Sequence, residues 1–134
     1  MIHIDTCFAT DLLRELKRDT PGPATKYLSD HADDTFSASI FVACELESGV
    51  HASNDPVRER AVVDRMLNSL SIVYPKVGFS EVYASQYAKL KSAGVTVHTM
   101  DLLIAVTSLC SKASILTRNV KHFERIEDLK INTY

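Results

Sequence analysis

"MIHIDTCFATDLLRELKR", residues 1–18, decides the fold class. Ile2 and Ile4 belong to a short apolar run that stops at Asp5, after which Phe8, Leu12, Leu13 and Leu16 recur at helical spacing. A strand therefore runs into a helix through one acidic residue. The pattern repeats along the chain. "DTPGP" at 19–23 breaks the first helix, and "ATKYLSDHA" suits a second. "TFSASIFVACELESGV" opens as a strand and becomes a helix expected to close at Gly49. Asp55 and Pro56 start another helix, striped by Val57, Ala61, Val62, Met66 and Leu70.

"SIVYP" reads as a strand, "FSEVYASQYAKLKSAG" as a helix closed by Gly94, and "VTVHT" as a strand or an extended link. "MDLLIAVTSLCSKA" reads as a helix, "SILT" as a strand, "VKHFERI" as a helical turn and "LKIN" as a last strand. Strands that alternate with helices imply an α/β fold, with a mainly parallel sheet covered on both faces. In such sheets ligands bind beyond the carboxyl ends of the strands. Asp5 and Asn119 both fall there.

The 134 residues are enough for one domain, 1–134, with a real core. The 46% hydrophobic and 24% charged composition is that of a globular protein. Three cysteines without C-x-x-C spacing read as reduced core residues, and the five histidines, without zinc-ligand spacing, as surface or strand residues. With no signal-peptide pattern and no apolar run long enough to span a membrane, the expected location is the cytoplasm. A formal charge of −2 announces no nucleic-acid binder globally, so local patches such as "RELKR", "VRERAVVDR" and "TRNVKHFER" must carry any such role.

The acids carry the chemistry. Glu45 shares a helical face with Phe41 and Val42 inside an apolar run and reads as a buried carboxylate that must be salt-bridged, protonated or metal-bound, while Glu47 lies about 200° further round and reads as solvated. Asp101 heads the apolar "DLLIAVTSLC", where an ordinary helix cap would also suit it. Asp5, Glu45 and Asp101 come from three separate elements. If they converge they repel, by about 4 kcal/mol for two charges about 4 Å apart at an effective dielectric near 20. A hard divalent cation, Mg²⁺ or Mn²⁺, removes that penalty because it takes oxygen ligands and keeps several waters.

In order and spacing, "IHIDT", "SASIFVACEL", "YASQYAKLKSAGVTVHTMDLLIA" and "ILTRNVKHFERIEDLKI" resemble the PIN-domain ribonucleases, in particular the toxins of VapBC-type toxin–antitoxin pairs. The resemblance runs end to end. It implies a three-layer α/β/α fold, a divalent-metal site of Asp5, Glu45 and Asp101 with Asn119 in the fourth position, and cleavage of structured RNA such as tRNA. It also implies an antitoxin partner and a homodimer, the latter favoured by the apolar stripes at 56–70 and 23–31. The chain departs from the family at Cys7, where Asn is frequent, and at Val42, where Ser or Thr is frequent; Asn119 is itself a common variant.

The expected reaction is phosphodiester hydrolysis, with Asp5 and Asp101 as ligands, Glu45 as a ligand or water-orienting base, and Asn119 positioning water or phosphate. Thr6 and Thr117 are supporting candidates behind these groups. Two rivals stand beside it. One is a thiol enzyme using Cys7, although Arg14 follows it by one residue too many for a phosphatase loop. The other is a non-catalytic PIN-like binding module that acts through a protein partner.

Overall fold

The computed structural model describes residues 1–134. In chain order the elements are β1 (Ile2–Ile4), α1 (Thr6–Arg18), α2 (Pro23–Asp30), β2 (Phe36–Ser39), α3 (Ile40–Ala52) and α4 (Pro56–Ser69), followed by β3 (Ser71–Val73), α5 (Phe79–Ser92), α6 (Thr99–Cys110), β4 (Ser114–Leu116), α7 (Val120–Phe123) and β5 (Ile131–Asn132). The five strands form one sheet in the order β3-β2-β1-β4-β5, and every pairing is parallel. The α/β expectation holds, with an all-parallel sheet.

Strand order fixes where the layers lie. From β1 the chain steps to β2 and then β3 on one side, and it returns past β1 to β4 and β5 on the other. Parallel crossovers are right-handed, so the reversal puts α1 to α4 on one face and α5 to α7 on the opposite face. Most of the packing agrees: α1 lies against α2, α3 and α4, and α6 against α5 and α7, while α3 and α6 also touch. β1 sits between the layers, with Ile2, His3 and Ile4 all buried. Burial, with the nearby N-terminal charge, lowers His3 to a pKa of about 4. Its Nδ1 lies 3.2 Å from Ser108 Oγ.

Two local readings are corrected, and one that stood open is decided. α3 does not close at Gly49 but runs to Ala52, because Val50 is buried in the core and the penalty for a helical Gly is only about 1 kcal/mol. Residues 95–98 form an extended link and not a strand; Val95 N–H donates to Leu90 O and thereby finishes α5. The cysteines are not core residues: Cys7 is half-buried, and Cys44 and Cys110 are exposed. Cys44 lies about 200° round α3 from the buried Val42, and Cys110 occupies the last turn of α6.

One carboxylate ties α1 to the start of α2. Glu15 accepts hydrogen bonds from the backbone amides of Gly22, Ala24 and Thr25 and from the Thr25 hydroxyl, at 2.6–3.0 Å. Desolvation pushes its pKa up, but the bonds from Thr25, Ala24 and Gly22 outweigh it and hold the carboxyl below its ordinary range. A Cβ on Gly22 would come within 2.5 Å of Glu15 Oε1, so position 22 has room for the carboxylate only because it is Gly. Glu15→Ala is expected to cost about 2 kcal/mol of unfolding free energy by urea titration, since it leaves several amides unpaired at once. A loss below about 0.5 kcal/mol would show that water replaces the carboxylate.

Candidate active site

The reversal of strand order falls between β1 and β4, which is the switch point at which parallel sheets open a crevice. Asp5 leaves β1 there, its amide donating to Leu116 O at the end of β4, while Thr117, Arg118 and Asn119 leave β4 beside it. α3 and α6 bring their N-terminal halves to the same end. The result is an open pocket of about 410 Å³ whose lining includes Asp5, Thr6, Glu45, Asp101 and Asn119. All four residues expected to act together therefore face one space.

Asp5 is both cap and site residue. Its Oδ1 accepts the Phe8 amide at 2.8 Å and so caps α1, and the Cys7 thiol donates to its carboxylate at 2.9 Å and 3.1 Å. Burial pushes its pKa up; hydrogen bonds from Cys7, Thr117 and Phe8 oppose the rise, and the Asp101 charge adds to it. The charged form is thus held against its preference, which is the electrostatic condition that favours a bound cation. Cys7 is itself pushed up, first by burial and then by Asp5. An activated nucleophile needs the opposite shift, which counts against the thiol-enzyme reading.

Glu45 is half-exposed and not buried. The buried residues of α3 are Val42, Ala43, Leu46 and Val50, and Glu45 falls about 60° outside their arc, at the border between core and pocket. The Thr6 hydroxyl donates to its Oε2 and joins the start of α1 to α3. Glu47 turns away and pairs with Arg60 of α4. Val42 takes no part in the pocket; its side chain is in the core and its amide donates to Ser39, the cap of α3.

Asp101 does not cap α6. The helix begins two residues earlier, at Thr99, with His98 as its N-cap, so Asp101 stands in the first turn. There the helix dipole favours its negative charge. Its Oδ2 lies 2.8 Å from His122 Nδ1, and Oδ1 makes no hydrogen bond to protein. Asn119 begins α7 without a side-chain cap bond, leaving its side-chain amide free. Thr117 is fully buried behind it, its hydroxyl accepting from the Asn119 backbone N–H at 2.8 Å and lying 3.4 Å from the Cys7 thiol.

The pocket also contains Cys7, Thr10, His98, Arg118, His122 and Phe123. The two histidines are the clearest omission from the sequence reading, which placed them on surface or strand. The signals available were the position of His122 one turn after Asn119 and of His98 just ahead of an acid-bearing helix. As the side chains stand, no three His, Cys, Asp or Glu groups converge at metal-ligand spacing. The donor set of Asp5, Asp101, Glu45 and the Asn119 amide is nonetheless all oxygen, as a hard divalent cation requires.

A parallel sheet with acids gathered at its switch point defines a class, and comparison with known proteins gives it a name. The PIN domain family matches residues 2–129, and the chain belongs to that family. Ribonuclease VapC2 of Rickettsia felis is 28% identical over 102 residues, which is 76% of each chain. Ribonuclease VapC1 of Haemophilus influenzae strain R2866 is 28% identical over 73% of each. Among solved structures, VapBC2 from Rickettsia felis bound to a DNA fragment from its promoter superposes with a TM-score of 0.90 at 25% identity, covering 100% of this chain and 99% of that one.

Proposed function

We propose that this chain is a Mg²⁺- or Mn²⁺-dependent endoribonuclease that hydrolyses phosphodiester bonds in structured RNA, and that it is the toxin of a toxin–antitoxin pair. The observation that carries the reading is the meeting of Asp5, Glu45, Asp101 and Asn119, from four separate segments, in one pocket at the sheet's switch point. Asp5 and Asp101 would hold the ion. Mg²⁺ takes one or two direct carboxylates and keeps several waters, so Glu45 suits a water-orienting place, fixed there by Thr6. The bound ion would supply a water of lowered pKa and neutralise charge on the phosphate. The unpartnered amide of Asn119 can orient water or a phosphate oxygen, and Thr117 sets the backbone that presents it.

The names of the similar proteins support the activity and the partner. Two relatives are ribonucleases VapC, and the Rickettsia neighbour is a VapBC complex. A homodimer is proposed as well. Val57 at the start of α4 is 82% exposed and continues the apolar stripe of that helix onto the surface. No helix is long and apolar enough to cross a membrane. The test is cleavage of unfractionated tRNA by the purified chain with Mg²⁺, with Mn²⁺ and with EDTA. Cleavage with either metal and none with EDTA is expected; cleavage that persists in EDTA overturns the metal reading, and none under any condition overturns the nuclease reading. Light scattering at micromolar concentration should give twice the chain mass.

Asn119 offers a finer probe. Asn119→Asp adds a carboxylate to the cluster, so it should tighten divalent binding and enlarge the metal-induced rise in melting temperature relative to the native chain. The metal-free variant should be the less stable, because four acids then crowd without a cation. Equal metal-induced rises in the two proteins would place Asn119 outside the ion's reach.

A further inference from the structure

A second pocket, of about 360 Å³, lies between α1 and the loop that leads to α2. Its polar walls are Asp11, Arg14, Glu15, Arg18, Arg118 and Tyr134. Arg118 also lines the active-site pocket, so one side chain separates the two spaces. The organising group is Asp11, a buried carboxylate only 7% exposed. It binds Arg14 Nη1 at 2.9 Å through Oδ1 and Arg118 Nη1 at 2.6 Å through Oδ2, and Oδ2 also accepts the Tyr134 hydroxyl at 2.8 Å. Tyr134 is in turn braced edge-on against the buried Phe8.

One carboxylate thus holds two guanidiniums without satisfying them. Each guanidinium has five N–H donors, and the Arg14 and Arg118 side chains remain 49% and 57% exposed. Arg18, four residues beyond Arg14 on the same helix, is exposed and forms no salt bridge. The second acid, Glu15, is committed to the amides of Gly22, Ala24 and Thr25. Three arginines with spare donors therefore face a cavity whose two acids are both engaged. Planar guanidiniums, two of them held by Asp11, are suited to phosphate oxygens.

We propose that this pocket binds a backbone phosphate of the RNA, adjacent to the one being cleaved, with Arg118 bridging the two sites and Asp11 as the positioning residue. The inference rests on the ribonuclease reading and extends it. It answers a problem the composition poses, because a chain of formal charge −2 has no general attraction for a polyanion and must hold it locally. The acid cluster alone would repel the strand; the arginine pocket supplies the counter-charge beside it.

The test uses the full chain with Arg14→Gln and Arg18→Gln combined, since both residues are exposed and lie outside the active-site pocket. Binding of labelled unfractionated tRNA is measured in EDTA across a KCl series, and cleavage is measured separately with Mg²⁺ or Mn²⁺. The double variant is expected to bind about tenfold more weakly, with a salt dependence shallower by about 0.7–0.9 in log Kd against log salt, as one lost phosphate contact predicts. KM should rise while kcat is retained, and Arg14→Lys with Arg18→Lys should restore the salt slope but only part of the affinity, since Lys keeps the charge and loses the planar fork. Affinity and salt slope equal to the native chain's would overturn the proposal, as would unchanged RNA binding with loss of a protein partner. A native chain that binds but never cleaves would refute the nuclease reading, while the binding series would still decide whether the pocket takes phosphate.

Discussion

Asp101→Asn is expected to reduce metal-dependent RNA cleavage by about 10³-fold, equivalent to about 4 kcal/mol of transition-state stabilisation, with the fold intact. The substitution keeps size and shape. An Asn oxygen can still meet His122, now 2.8 Å from Asp101 Oδ2, and His98 remains the cap of α6. What is lost is an anionic oxygen at the pocket. The stability cost should stay within about 1 kcal/mol, because the favourable charge in the first helical turn is worth about 0.3–1 kcal/mol and its removal relieves repulsion on Asp5. Turnover should fall without a matching loss of RNA affinity in EDTA. Turnover equal to the native chain's would sink the metal-site reading, since a merely structural role for Asp101 is one that Asn can fill. Because the acids act as a unit, Asp101→Asn combined with Glu45→Gln should be scarcely slower than Asp101→Asn alone.

How far these residues were legible depended on how local the physics was. Asp5 could be read because a strand ends and a helix begins on either side of it, both visible in the spacing of Ile2, Ile4, Phe8 and Leu12. Asp101 stands out as an acid heading an apolar run, but the helix-cap alternative fails because Thr99 and Met100 extend α6 backwards and leave the cap to His98. The apolar neighbours of Glu45 suggest burial, whereas the helical phase sets it at the rim of the core. The pairing of His122 with Asp101 spans 21 residues, and that of Tyr134 with Asp11 spans 123. No local period encodes contacts of that kind. They follow from the order β3-β2-β1-β4-β5, which brings the end of β4 beside the end of β1, and that order is not written in any single segment.

Asp5→Asn should separate function from stability in opposite directions. Asn caps a helix as well as Asp does, so the bond from the Phe8 amide is kept and α1 should start at the same residue. The buried charge disappears. Burial and Asp101 raise the pKa of Asp5, which means that the folded protein disfavours its ionised form relative to the unfolded chain. Native stability is accordingly eroded as pH rises from the ordinary carboxylate range through the folded value, and the whole penalty is present above it. Removing the ionisable group removes the penalty, so metal-free Asp5→Asn should melt at a higher temperature than the native chain near pH 7. The two should converge below the ordinary carboxylate pKa, where Asp5 is protonated in both states. Adding Mg²⁺ or Mn²⁺ should reverse the ranking, because the native chain gains binding energy in proportion to its affinity for the ion and the variant gains far less. Cleavage should fall by about 10³-fold, as for Asp101. A lower metal-free melting temperature for Asp5→Asn would mean that Asp5 chiefly holds the end of β1 against α1, and that the charge is not stored there for a cation.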